Sequence, residues 1–198
     1  MWEFVDKVVY INLDKRGDRD NKIRKVLATF GDKVIRMSAI ETTPGYIGCL
    51  QSHITVLNDA KSNGWRNVLI MEDDVEWNNF EAGYKIVEKL AMNPYDVIHF
   101  GPSKATMGDN NRLLSCQTTS SYLVNGPYIN VLLDCYKTAL PNLIQTDDEA
   151  TYGSDQCWKP LMLSDRWYAP LPVLMYQIPD YSNIRRYFQD HRRYWVLN

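Results

Sequence analysis

The chain has 198 residues, 45% of them apolar and 23% charged. That is enough for one compact domain spanning 1–198 and too little to divide comfortably into two. With 22 basic and 24 acidic residues the formal charge is only -2, which excludes a general electrostatic affinity for nucleic acid. The 9 Pro and 10 Gly are scattered, so no stretch has the composition of a linker or a disordered tail.

The N-terminal Met1-Trp2-Glu3-Phe4-Val5-Asp6-Lys7 carries acids where a secretory signal needs a basic start and an apolar run, and no later segment is apolar enough to span a membrane. Cys49, Cys116, Cys135 and Cys157 are too far apart for paired zinc spacings and too few for a disulfide scaffold. Free thiols in a reducing compartment, hence a cytoplasmic chain with no transmembrane segment, are expected.

Val8 to Leu13 is a short apolar run opening into Asp14-Lys15-Arg16-Gly17-Asp18, the pattern of a buried strand ending in a loop. Ile23, Val26, Leu27 and Phe30 then fall at helical spacing, with Gly31 as a stop before a second strand around Val34 to Ile40. Thr43-Pro44 precedes a second helix, along which Ile47, Leu50, Ile54 and Leu57 share a face until Gly64. Val68 to Met71 is continuously apolar, as in a strand covered on both faces of a parallel sheet. Phe80, Tyr84, Val87 and Leu90 mark a third helix, and Asp96 to Gly101 another strand. Ser103 to Gln117 lacks periodicity and reads as a long loop. Tyr122 to Val124 reads as a strand, Pro127 opens a further helix with Ile129, Leu132, Leu133 and Tyr136, and Trp167 to Gln177 is extended but broken by Pro170 and Pro172. Repeated strand-helix units predict an α/β fold, a mostly parallel central sheet flanked by helices, with a ligand crevice beyond the strands' carboxyl ends. The loops after Leu13, Met71 and Phe100 are expected to surround it.

Glu72-Asp73-Asp74 follows the buried third strand directly. Two carboxylates about 4 Å apart repel by roughly 4 kcal/mol at an effective dielectric of about 20, so a cation is expected there. Helix capping is the ordinary alternative, but Asn78, Asn79 and Glu81 lie nearer the next helix and suit that role better. A hard ion such as Mg or Mn takes one or two carboxylates and completes its shell with phosphate and water. That implies a phosphorylated substrate, with Arg16 and Arg19 as further phosphate contacts, unless they only pair with Asp14, Asp18 or Asp20.

Three segments together, Val9-Tyr10-Ile11-Asn12-Leu13-Asp14-Lys15-Arg16 with Asp18-Arg19, Gly48-Cys49-Leu50-Gln51-Ser52-His53, and Leu69-Ile70-Met71-Glu72-Asp73-Asp74-Val75, resemble glycosyltransferase family 25. That family includes lipooligosaccharide and collagen galactosyltransferases. Ser120 to Val124, Gly153-Ser154-Asp155-Gln156, Gln177 and Ser182-Asn183-Ile184 resemble its later segments more weakly. The resemblance implies a GT-A fold and inverting transfer of galactose or glucose from a UDP-sugar to a glycan or hydroxylated protein. It also implies a manganese-type ion at Glu72 and Asp74, with Asp73 binding the donor in the same metal and ribose-diphosphate motif, and nucleotide contacts from Ile11, Asn12, Leu13 and Arg16. A bacterial or viral glycan pathway suits a chain this short better than an animal secretory one. A catalytically inactive binding protein, or a metal-dependent phosphohydrolase or nucleotidyltransferase, are the competing classes.

An inverting transfer needs a base for the acceptor hydroxyl. Asp155, after Tyr152-Gly153-Ser154, is chosen, with Asp147, Asp148 and Glu149 as competitors and a capping role as the plain alternative. His53 is expected to be a hydrogen-bonded packing residue, and His99 a core one. Asp180, Asp190 and His191 are lesser candidates for a further metal ligand. Arg185-Arg186 and Arg192-Arg193, interleaved with Tyr187, Phe188, Tyr194 and Trp195, form a basic aromatic cluster. Helical surface packing is its default reading, and an acidic glycan, phosphate or peripheral membrane surface the alternative.

Overall fold

Side-chain alternation sorts the apolar residues of each strand onto two faces, and the protein covers both. The computed structural model describes residues 1–185 and 187–190. In chain order the first half contains β1 (Lys7–Asn12), α1 (Gly17–Leu27), β2 (Val34–Ser38), α2 (Gly45–Ser62), β3 (Asn67–Glu72), β4 (Val75–Trp77), α3 (Phe80–Ala91) and β5 (Val97–His99). The second half contains β6 (Ser103–Met107), β7 (Leu113–Gln117), β8 (Ser121–Asn125), α4 (Ile129–Thr146), α5 (Glu149–Tyr152), α6 (Lys159–Ser164), β9 (Trp167–Tyr168), β10 (Met175–Gln177), β11 (Asp180–Ser182) and β12 (Tyr187–Gln189).

The central sheet has six strands in the order β2-β1-β3-β8-β5-β9. β1 runs parallel to β2 and β3, and β5 parallel to β9. β8 alone is reversed, antiparallel to both β3 and β5. One face packs Val9, Ile11, Val68, Ile70, Tyr122 and Val124 against Leu50 and Leu57 of α2 and Leu132 and Leu133 of α4. The other packs Val8, Tyr10, Leu69, Met71 and Leu123 against Ile23 and Leu27 of α1 and Val87 of α3. Val68, Leu69, Ile70 and Met71 have no exposed surface, which explains their uninterrupted apolar run. At about 1.5–3 kcal/mol per buried side chain, β3 is a main source of the sheet's stability.

The local stops work as the sequence implies. Gly31 and Gly64 take φ of 60° and 66°, where a side chain is strained. Asn79, not the acidic triplet, caps α3, its side chain accepting from the Ala82 N–H at 3.4 Å. Residues 103–117 are not the long loop expected from their lack of period. They form the β6–β7 hairpin, whose register shifts and whose positive φ at Lys104, Asn110 and Asn111 break the alternation by which strands are recognised. The second strand also ends earlier than expected, at Ser38. His191, Arg192, Arg193, Tyr194 and Trp195, with Arg186, lie outside the described residues. Arg185 forms no part of a helix; it pairs with Glu149 at 2.6 Å, while Tyr187 and Phe188 belong to β12. No helix among the described residues is long and apolar enough to cross a membrane.

Candidate active site

The carboxyl ends of β1 and β3 open into a cleft of about 610 Å³. α2, the β6–β7 hairpin, the turn around Asp155 and the β11–β12 hairpin complete its walls. The segments after β1 and β3 line it as expected, with Leu13, Arg19, Asp73 and Asp74, whereas residues 100–102 after β5 do not, and that side of the wall comes from Ser103 and Lys104 of β6. Among expected site residues, Ile11, Leu13, Arg19, Glu72, Asp73, Asp74 and Asp155 line this cleft. Arg16 and Asn12 stand behind them.

A tight turn at Asp73–Asp74 ends β3 and brings all three carboxylates toward one place, instead of splaying Asp73 away as a fully extended chain would. Asp73 accepts from Asn12 Nδ2 at 2.7 Å and from Arg19 Nη1 at 2.9 Å. Arg19 Nη1 also reaches Asp74 at 3.0 Å, while its Nε donates to Asp180 at 3.0 Å and its Nη2 to the Tyr181 carbonyl at 2.9 Å. Four of its five N–H groups are thus engaged, and only 7% of the residue is exposed. Arg16 donates to Asp18, Asp180, Asn183 and the Tyr181 carbonyl. The expected arginine pair therefore neutralises acids first and ties α1 to the β11–β12 hairpin. Asn12 is 1% exposed; its amide bridges Asp73 and the Arg16 carbonyl, and its oxygen accepts from Arg36.

Glu72 and Asp74 converge on one amide. Gln177 Nε2 donates to Glu72 Oε2 at 3.3 Å and to Asp74 Oδ1 at 3.2 Å. The other Glu72 oxygen accepts from Thr119 Oγ1 at 2.6 Å. Burial, aided by the charges of Glu72 and Asp73 and opposed by Arg19, pushes Asp74 up to about 7. Burial raises Asp73 also. On Glu72 burial works the same way, but His53 and Thr119 hold it below the usual carboxylate range. The two arginines leave this group of four acids, Asp180 included, with surplus negative charge. A divalent cation fits the donor set: two carboxylate oxygens already converge on a polar N–H₂, whose amide is held there by these two long hydrogen bonds and by one at 3.1 Å from Thr118 Oγ1 to its oxygen.

Asp155 lies in the turn following α5. Its carboxylate accepts from the Thr118 N–H at 2.9 Å and from Gln156 Nε2 at 2.9 Å, which fixes it on the cleft wall with a lone pair free on each oxygen. Its competitors separate. Asp147 ends α4 and accepts from the Tyr46 hydroxyl, Asp148 caps α5, and Glu149 lines the cleft but is held by Arg185 in a two-bond pair. His99 is a core residue. Its Nε2 donates to the Thr118 carbonyl at 2.9 Å, its Nδ1 accepts from Gly101 N–H at 3.2 Å, and burial drives its pKa down to about 4. His53 is buried with Nδ1 2.8 Å from the Tyr122 hydroxyl.

Sequence reasoning gave no role to Gln177 or Gly48 and held Asp180 only as a lesser metal-ligand candidate. Asp180 anchors both arginines, Gln177 spans the two acids, and Gly48 lets α2 approach the loop after β2. A Cβ on Gly48 would stand 2.1 Å from the Ile40 carbonyl oxygen. There, Ser52 Oγ accepts from Ile40 N–H and donates to the Gly48 carbonyl. The Gly-x-x-x-Ser-His spacing was the available signal: one helix face carries the close approach, the clamp and the adjacent histidine.

A six-stranded, mostly parallel sheet flanked by helices, with acids ending the third strand in a cleft at its carboxyl edge, is a GT-A-like fold. Solved structures share it. The chain matches a glycosyltransferase involved in glycosylation of the major capsid of PBCV-1 over 91% of its own length and 95% of that chain, with TM-score 0.53 and 11% identity. It matches A197 from STIV over 93% and 95%, with TM-score 0.54 and 11% identity. At this identity the likeness is one of fold. No family profile and no curated protein sequence matches the chain.

Proposed function

We propose that residues 1–198 act as one inverting, metal-dependent glycosyltransferase domain of the family 25 kind, moving galactose or glucose from a UDP-sugar to a glycan or hydroxylated protein. The observation that carries this reading is the convergence of Glu72 and Asp74 on one point in a cleft at the carboxyl edge of a GT-A-like sheet. Glu72 and Asp74 would hold a manganese or magnesium ion, which would supply charge neutralisation for the donor diphosphate as it leaves. Asp73, locked by Asn12 and Arg19, fixes the turn that presents both. Ile11 and Leu13 offer the nucleotide an apolar edge. Arg16 can exchange Asp18, whose side chain is 55% exposed, for a diphosphate oxygen, while Arg19 holds the acids in place. Asp155 takes the acceptor hydroxyl proton as that oxygen attacks the anomeric carbon and the bond to the diphosphate breaks.

A cytoplasmic, bacterial or viral glycan pathway is the proposed setting, a reading supported by the fold shared with the PBCV-1 capsid enzyme. The test is a panel of nucleotide sugars with manganese, scored by donor hydrolysis, because water can replace an unknown acceptor. Release of UDP supports the proposal. Phosphate or pyrophosphate release would mark a phosphohydrolase or nucleotidyltransferase, and tight UDP binding without turnover on any acceptor a binding protein.

A further inference from the structure

Beyond the two converging carboxylates, the opposite oxygen of Glu72 takes part in a second cluster of different chemistry. Cys49 and His53 are one turn apart on α2, so their side chains share a face. Cys49 Sγ, a His53 ring nitrogen and a Glu72 carboxylate oxygen all lie within 4.8 Å of one another. His53 is 1% exposed, and its Nε2 is buried without a hydrogen-bond partner among the described residues. Glu72 Oε1 is 3.6 Å away, too far to satisfy that nitrogen, and accepts instead from Thr119. A buried imidazole nitrogen left unpaired is costly unless something completes it.

We propose that Cys49, His53 and Glu72 form a binding site for a borderline-soft divalent ion of the Zn²⁺ class. A thiolate, an imidazole and one carboxylate oxygen match zinc's preferences and not those of magnesium, which takes oxygen ligands. Tetrahedral zinc with bonds of about 2.0–2.3 Å places its ligand atoms about 3.5 Å apart. Closing a triangle whose edges do not exceed 4.8 Å therefore asks for side-chain rotation of about 1 Å, not backbone movement. The other ring nitrogen already has the partner such a histidine needs: Nδ1 lies 2.8 Å from the Tyr122 oxygen, and in the tautomer that a bound ion would select, with the proton on Nδ1, Nε2 presents its lone pair. Coordination replaces the Cys49 S–H bond by a sulfur–metal bond and releases the proton to solvent. Since Cys49, His53 and Glu72 all line the cleft, the fourth position faces it and stays open to water or ligand.

This site shares Glu72 with the proposed manganese site but uses its other oxygen, and its test does not use turnover. Co²⁺ titrated into the chelator-treated wild-type protein should give tetrahedral visible bands with a thiolate charge-transfer band in the near ultraviolet, displaced by one equivalent of Zn²⁺. Cys49→Ser should abolish the charge-transfer band and weaken Zn²⁺ at least tenfold, since even losing an outer-shell partner costs about 10–100-fold. Asp74→Asn and Cys135→Ser should retain the band. Should Cys49→Ser fail to fold, the wild-type protein still decides the matter: Zn²⁺ must slow alkylation of Cys49, located by mass spectrometry, and leave that of Cys135 and Cys157 unchanged. Cobalt binding without a thiolate band, a band surviving in folded Cys49→Ser, or alkylation of Cys49 indifferent to Zn²⁺ would overturn the proposal.

Discussion

Arg19 offers the most direct measure of how the acidic cluster is held. Replacing it by Met keeps a stem of similar length but removes the guanidinium that joins Asp73, Asp74, Asp180 and the Tyr181 carbonyl. Removing one partner of a buried ion pair costs about 3–5 kcal/mol, because the remaining charge stays buried. That range already contains the repulsion among the carboxylates left without their counter-charge. Water reaching Asp180, whose side chain is 24% exposed, offsets part of this. The expected loss is therefore near the lower bound, about 3 kcal/mol, read as the shift of the urea unfolding midpoint at pH 8 in the presence of chelator. Arg19→Lys keeps the charge but not the planar fork, and should recover only part of the loss. Manganese should raise the Arg19→Met midpoint more than that of the wild type, because a cation among the acids replaces the missing charge. A loss below about 1 kcal/mol, the range of an exposed pair, would refute the assignment of Arg19 as the internal counter-charge.

Asp74→Asn should remove the manganese-dependent part of UDP affinity in calorimetric titration while leaving cooperative thermal unfolding intact; unchanged affinity would take Asp74 out of the metal site. Arg16→Ala should weaken UDP more than uridine, and equal losses would place Arg16 away from the diphosphate. Asp155→Asn should slow transfer by about 10²–10⁴-fold with UDP affinity unchanged, whereas near wild-type transfer would return Asp155 to the role of a turn residue holding Thr118. His99 makes a pH prediction: burial holds its pKa at about 4 in the folded protein against the ordinary 6.5, so between those values the native state binds fewer protons than the unfolded one. Stability should rise with pH across that window and be complete above it. The gain is about 3 kcal/mol, and His99→Gln should flatten that limb in urea titrations at successive pH values.

How far the sequence carried the fold depended on whether burial left a mark on composition. β3 was legible because both its faces are covered, and the helices because their stripes and stops are local. The direction of β8 was not. Tyr122 and Val124 face one core and Leu123 the other, so this strand is buried on both sides like a parallel one, and its composition does not show which way it runs. The β6–β7 hairpin escaped notice for the opposite reason. Its irregular register and left-handed residues remove the period-2 signal from strands that are nonetheless paired.

The site divides along the same line. Three acids at the end of a buried strand conflict with their surroundings, and such a conflict is visible in one dimension. What resolves it is not, because the answering groups come from the far end of the chain: Gln177 meets Glu72 and Asp74, and Asp180 meets both arginines, at sequence separations of 103 to 164 residues. The same reasoning separates Arg16 from Arg19. Both follow β1 and looked alike as phosphate contacts, yet the first turn of α1 directs Arg19 inward to 9% side-chain exposure and leaves Arg16 beside the exposed Asp18. A three-residue spacing thus sets Arg19 in the cleft wall among Asp73, Asp74 and Asp180, and Arg16 behind it, tied to Asp180 and Asn183 but with the exposed Asp18 as the one partner that solvent, or a diphosphate, can replace.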